Sequence, residues 1–137
     1  MSSSADHTIR LNWDGDLRFS GFADDQPVTL DGDNQAAASP VQMLAAGLAG
    51  CMAIDVVHIL TRMRTPASAV SVELTIDRAE SDPRRVVAAR MRFQVTGDVP
   101  AKNVERALAM SRETYCSVWQ SLREDIDFET SFEIEAS

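Results

Sequence analysis

The chain has 137 residues and a formal net charge of -8, the size of one domain and the wrong sign for nucleic acid or an anionic membrane, which need clustered cations. Its 45% hydrophobic and 25% charged residues make an ordinary globular composition, which excludes a disordered or fibrous chain. A single domain is therefore expected over residues 1–137, with residues 1–6 as a loose tail. Three serines follow Met1, with no basic stretch leading into an apolar run. No secretory signal is read, and a cytoplasmic location is expected.

The first elements alternate. Ile9, Leu11 and Trp13 share one face of a strand, and Leu17, Phe19 and Gly21 share a face of the next. "DGD" between them supplies the turn. A short third strand begins at Pro27, which suits an edge or a strand start. After the loop "DGDNQAAAS", Ser39 is the expected N-cap of a helix, with Pro40 in its first position.

That helix is expected from Pro40 to about Arg64, stopped by Pro66. About 25 residues at 1.5 Å rise span roughly 37 Å, more than the roughly 28 Å width of a globule this size. The helix is also apolar nearly all round, and one sheet covers only one face. A membrane span competes on length, but Gln42, Asp55 and His58 interrupt the run and hairpins surround it. A second subunit over the other face is the better expectation. Small residues from Ala45 to Ala53 would let another helix approach closely.

Beyond Pro66, Val70, Val72, Leu74 and Ile76 alternate along one strand. Val87, Ala89, Met91, Phe93 and Val95 do so along the next. Val104, Ala107, Leu108 and Tyr115 repeat at helical spacing, and a short helical piece "SVWQSL" follows. The last strand turns Ile126, Phe128, Thr130, Phe132 and Ile134 inward and its acids outward. The order β-β-β-α-β-β-α-α-β, joined by antiparallel hairpins, is an α+β domain.

Two cysteines, Cys51 and Cys116, lie 65 residues apart. In a reducing compartment they are free, metal-bound or redox-active. Metal is disfavoured, because there is no CxxC and His7 and His58 are the only histidines. Cys is also a common packing residue, so a purely structural role stays open for both.

"SPVQMLAAGLAGC" and "SRETYCSV" carry a resemblance to the osmotically inducible protein C and organic hydroperoxide resistance (OsmC/Ohr) family. The first resembles its Ser/Asn-Pro stretch leading into the first-cysteine helix, the second the motif around its second cysteine. The resemblance covers essentially the whole chain. "CMAIDVVHILTRMR" looks like a less characterised cytoplasmic OsmC-like branch.

This resemblance implies an OsmC-like fold, with antiparallel sheets packed on a long central apolar helix in an intertwined homodimer. It also implies a cofactor-free peroxidase in which Cys51 attacks a small organic hydroperoxide. The sulfenic acid then condenses with Cys116, and an external dithiol reduces the disulfide. A dimeric module binding a small hydrophobic ligand is the alternative.

Free cysteine titrates near 8.5 and burial raises that value, so a Cys51 nucleophile needs a cation beside it. The resemblance implies an arginine of the first hairpin, here Arg18 or Arg10, with a glutamate after the helix-start proline. Val41 stands where that glutamate would be. Asp55, His58 and Arg62 follow Cys51 near one helix face. Asp55 and His58 are read either as part of the site or, preferentially, as an intrahelical polar pair.

Overall fold

A computed structural model of the protein describes residues 5–137. Of the expected tail, residues 1–4 lie outside the described residues, and Ala5 and Asp6 carry no regular structure. The chain forms two compact units that divide between Leu44 and Ala45.

In the first unit, β1 (Ile9–Gly15), β2 (Arg18–Ala23) and β3 (Gln26–Asp31) form an antiparallel sheet in that order. Trp13 pairs with Phe19, and Leu11 with Gly21. A Cβ on Gly21 would overlap the Arg10 carbonyl oxygen, so the close approach of β1 and β2 requires glycine there. Pro27 lies on edge strand β3, where its missing N–H costs no interior ladder bond. The expected apolar face exists, but Ile9, Leu11, Trp13, Leu17 and Phe19 are exposed.

Helix α1 runs from Pro40 to Arg62. Its start is a reciprocal capping box: the Gln42 N–H donates to Ser39 Oγ at 3.2 Å, and the Ser39 N–H donates to Gln42 Oε1 at 2.9 Å. Its end is a Schellman closure. Arg64 takes a left-handed φ of 63°, Thr65 N–H bonds Leu60 O, and Arg64 N–H bonds Thr61 O, each at 3.0 Å. By length and composition α1 could cross a membrane.

In the second unit, α1 from Ala45 onward lies with β4 (Ala69–Arg78), β5 (Val86–Thr96), α2 (Ala101–Met110), α3 (Ser117–Gln120) and β6 (Asp127–Glu135). The sheet order is β4-β5-β6. β4 and β5 are antiparallel, as the alternation implies. β5 and β6 are parallel, which departs from the expected antiparallel sheets. The chain leaves β5, crosses through α2 and α3, and re-enters in the same direction, as a helical crossover dictates.

The core of this unit is one cluster. Leu48, Met52, Val56, Ile59 and Leu60 of α1 meet Ala89, Met91, Phe93 and Val95 of β5 and Val104, Ala107 and Leu108 of α2. Each large side chain buried there contributes roughly 1.5–3 kcal/mol. The remaining face of α1 is uncovered in the single chain: Ile54 is 69% exposed and Val57 47%.

Candidate active site

The apolar stripe of α1 fixes where Cys51 points. Met52 is fully buried in the stripe, and Cys51 beside it is half-buried and packed against the core. Cys116 arrives by a different route. Val104, Ala107 and Leu108 seat α2 on the core, and the helix then widens into a π turn over Ser111–Tyr115. There the Cys116 N–H reaches back to the Ser111 carbonyl at 2.7 Å instead of forming an α-type bond to Arg112. The extra residue re-aims the chain, and Cys116 becomes both the end of the π turn and the N-cap of α3.

The two sulfurs meet. Cys116 is fully buried, and Cys51 lies close enough to it to raise the pKa of its thiol. Burial first, and then Cys51, push the Cys116 thiol up to about 11, against backbone N–H groups of Trp119 and Val118 that favour its thiolate. The Trp119 N–H donates to Cys116 Sγ at 3.4 Å. Both cysteines are free thiols.

Several interactions hold the Cys116 segment. Gln120 Nε2 donates to the Arg112 carbonyl at 2.8 Å and to the Glu113 carbonyl at 3.2 Å, two groups without α-type partners in the widened turn. The Arg112 guanidinium donates to Phe128 O at 2.7 Å and lies over the Trp119 and Phe128 rings, 5.4 and 4.8 Å from their centroids. Trp119 and Phe128 are themselves packed at 4.5 Å.

Asp55 corrects one expectation. Its carboxyl does not pair with His58. It accepts the Ser111 hydroxyl at 2.8 Å, across 56 residues of sequence, while His58 is exposed. Tyr115, expected on the buried face of α2, is 57% exposed because the π turn shifts its phase. Ser111 and Arg112 lie in the SRETYCSV motif, but no role was read for them or for Gln120 from the sequence. They matter through a backbone geometry that residue types do not announce.

Arg18 lies on β2 of the first unit. Its Nε pairs with Asp31 Oδ2 at 3.4 Å, and its terminal nitrogens form no ion pair among the described residues. Asp31 is buried and held well below the usual carboxylate range, at about 2. The causes are the backbone N–H groups of Ala36, Asp33 and Gln35, and then Arg18, overcoming desolvation. Arg10 is exposed on β1 and makes no ion pair among the described residues. Val41 is the second residue of α1.

A cleft of about 710 Å³ opens between α1 and α2. Ile59, Met63 and Met110 give it apolar walls, and Asp55, His58, Arg62 and Arg106 are among its polar residues. Neither sulfur lines it, but it begins at Asp55, one turn beyond Cys51, and reaches Tyr115, the neighbour of Cys116. Its size falls in the range of small-molecule sites.

Comparison with known proteins agrees with this architecture. Residues 32–131 match the family described as OsmC-like protein. Protein YhfA of Escherichia coli is 36% identical over 131 residues, 93% of this chain and 98% of that protein. A hypothetical protein from Aquifex aeolicus superposes with a TM-score of 0.89 at 22% identity, covering 98% of this chain and 99% of its own. An organic hydroperoxide resistance protein OsmC from Legionella pneumophila gives 0.72 at 19% identity, covering 95% and 99%. At these identities the two structures speak to the fold.

Proposed function

Because the chain belongs to the OsmC-like family, we propose that it is a thiol-dependent peroxidase reducing organic hydroperoxides through Cys51 and Cys116. The observation that carries this reading is that two free thiols 65 residues apart in sequence come near enough in the fold for Cys51 to act on the Cys116 thiol. A fold shared with a protein described as an organic hydroperoxide resistance protein supports the choice of substrate.

The Cys51 thiolate attacks the terminal oxygen of ROOH. The O–O bond breaks, the alkoxide takes a proton and leaves as ROH, and Cys51 becomes a sulfenic acid. The Cys116 sulfur attacks the Cys51 sulfur, its proton leaves with the hydroxyl as water, and a disulfide forms. An external dithiol returns both sulfurs to thiols and is itself oxidised to a disulfide. The Cys51 thiolate needs a cation, and Arg18 is the residue proposed for it: Asp31 holds its Nε, and its terminal nitrogens form no ion pair among the described residues.

The working unit is a cytoplasmic homodimer. Exposed Ile54 and Val57 on α1, together with exposed Trp13 and Phe19 on the first sheet, support a second copy as their cover. A second reading, a dimeric module binding a small hydrophobic ligand with little turnover, draws on the apolar walls of the cleft and on Val41.

Alcohol yield separates the two. With cumene hydroperoxide, the peroxidase releases one alcohol per chain without reductant and turns over when a dithiol is added. Cys116→Ser forms no disulfide: its Cys51 sulfenic acid accounts for one alcohol, and excess hydroperoxide carries it to sulfinic acid with release of a second. No alcohol above the level of a Cys51→Ser variant would leave the binding module as the function.

A further inference from the structure

The cleft residue Asp55 and the buried Ser111 occupy an unusual place between the sulfurs. Asp55 is one helical turn beyond Cys51 on the same helix. Ser111, fully buried, donates its hydroxyl to Asp55 Oδ2 at 2.8 Å, and its carbonyl accepts the Cys116 N–H at 2.7 Å. One residue thus ties the cysteine-bearing helix by its side chain and the second cysteine by its backbone. No other hydrogen bond to the Asp55 side chain occurs among the described residues.

From this geometry we propose that Asp55 and Ser111 are a positioning pair, clamping the π turn to α1 so that Cys116 approaches Cys51 in line for disulfide formation. Neither side chain forms a hydrogen bond to a sulfur among the described residues. The clamp acts on the second chemical step, and this inference rests on the two-cysteine reading above.

The shape of the turn explains why a clamp is needed. π geometry is rare and survives where something outside the helix holds it. Relaxing to α-helical spacing would move the Cys116 N–H from the Ser111 carbonyl to that of Arg112 and turn the sulfur away from Cys51. Gln120 stabilises the freed carbonyls from one side. The Asp55–Ser111 bond fixes the other side to the helix bearing the partner sulfur. Reactions between two held groups lose rate steeply with small misplacements.

The test compares Ser111→Ala, Asp55→Ala and Asp55→Asn with the parent protein, using Ser121→Ala as a control that removes a hydroxyl bonded to the Ser117 carbonyl on α3. Disulfide formation is driven first by diamide, which needs no peroxidase activity, and then by cumene hydroperoxide with a sulfenate trap. Ser111→Ala and Asp55→Ala should slow closure of the disulfide at least about tenfold with either oxidant. With hydroperoxide they should divert Cys51 into trapped sulfenate. Asp55→Asn, which keeps an acceptor oxygen, should recover most of the closure rate, and Ser121→Ala should match the parent.

Parent-like closure in both alanine variants overturns the clamp, as does a parent protein that forms no Cys51–Cys116 disulfide with diamide. Failure of Asp55→Asn to recover closure while it folds like the parent also overturns it. If diamide separates the variants as expected but hydroperoxide oxidises none of them, the clamp stands and the substrate assignment falls. Should Ser111→Ala fail to fold, the contrast between Asp55→Ala and Asp55→Asn still decides.

Discussion

Cys116 holds its proton against Cys51, and its thiol is pushed up to about 11 by burial and by that contact. A raised folded-state value means the folded protein binds this proton more tightly than the unfolded chain, where cysteine titrates near 8.5. The associated stability is fully present below about pH 8.5 and is lost as pH rises through about 11. Melting temperatures measured across that window should fall with pH in the parent and fall less in Cys116→Ala. Alkylation of Cys116 in the folded protein should likewise stay slow until the upper end of the window.

On the acid side one contribution comes from Asp31, held at about 2 by Ala36, Asp33 and Gln35 N–H groups and by Arg18. A lowered value gives stability that is present above the ordinary carboxylate range and is lost as pH falls from about 4 through about 2. Asp31→Asn should melt lower at pH 7, because three backbone donors lose a charged acceptor. The gap to the parent should narrow toward pH 2. A constant gap across that range would show that the Asp31 charge is not what holds the loop.

Burial separates two neighbouring positions of α1. Met52 is fully buried in the core and Ile54 is 69% exposed. Met52→Ala should cost about 2–5 kcal/mol in denaturant unfolding. Ile54→Asp should change the stability of an isolated chain by only about 0.5 kcal/mol. Sedimentation is then the informative measurement. The parent should run as a dimer at micromolar concentration, and Ile54→Asp should shift it toward monomer.

Arg112 ties α3 to β6 through the Phe128 carbonyl and the two aromatic rings. Arg112→Gln should destabilise by about 1–2 kcal/mol, read as a lower midpoint in urea. It should also raise the solvent access of Cys116, seen as faster alkylation at a fixed pH. Unchanged alkylation would confine Arg112 to a stability role.

Much of this architecture was legible because it follows from local periodicity. Sequence patterning located the six strands of the described residues, and Ser39, Pro40 and Pro66 marked the limits of α1 to within a turn. The parallel pairing of β6 was not legible, since strand alternation carries no direction. The continued α spacing from Val104 to Tyr115 hid the π turn: in α phase Tyr115 returns to the buried face, and one extra residue turns it out. The partner of Asp55 was illegible for a different reason. The nearest polar residue on its own helix, His58, competes on paper, whereas Ser111 reaches it only through the tertiary fold. The cysteine pairing came from family resemblance, and the contact in the fold has a physical basis in how α2 ends.

The most direct measurement is peptide mapping by mass spectrometry after one equivalent of cumene hydroperoxide per chain. Both thiols should disappear, a single cross-linked peptide pair should join Cys51 to Cys116, and a dithiol should restore the starting masses. Two intact thiols, or Cys51 oxidised to sulfinic acid while Cys116 stays free in the parent protein, would contradict the two-cysteine mechanism.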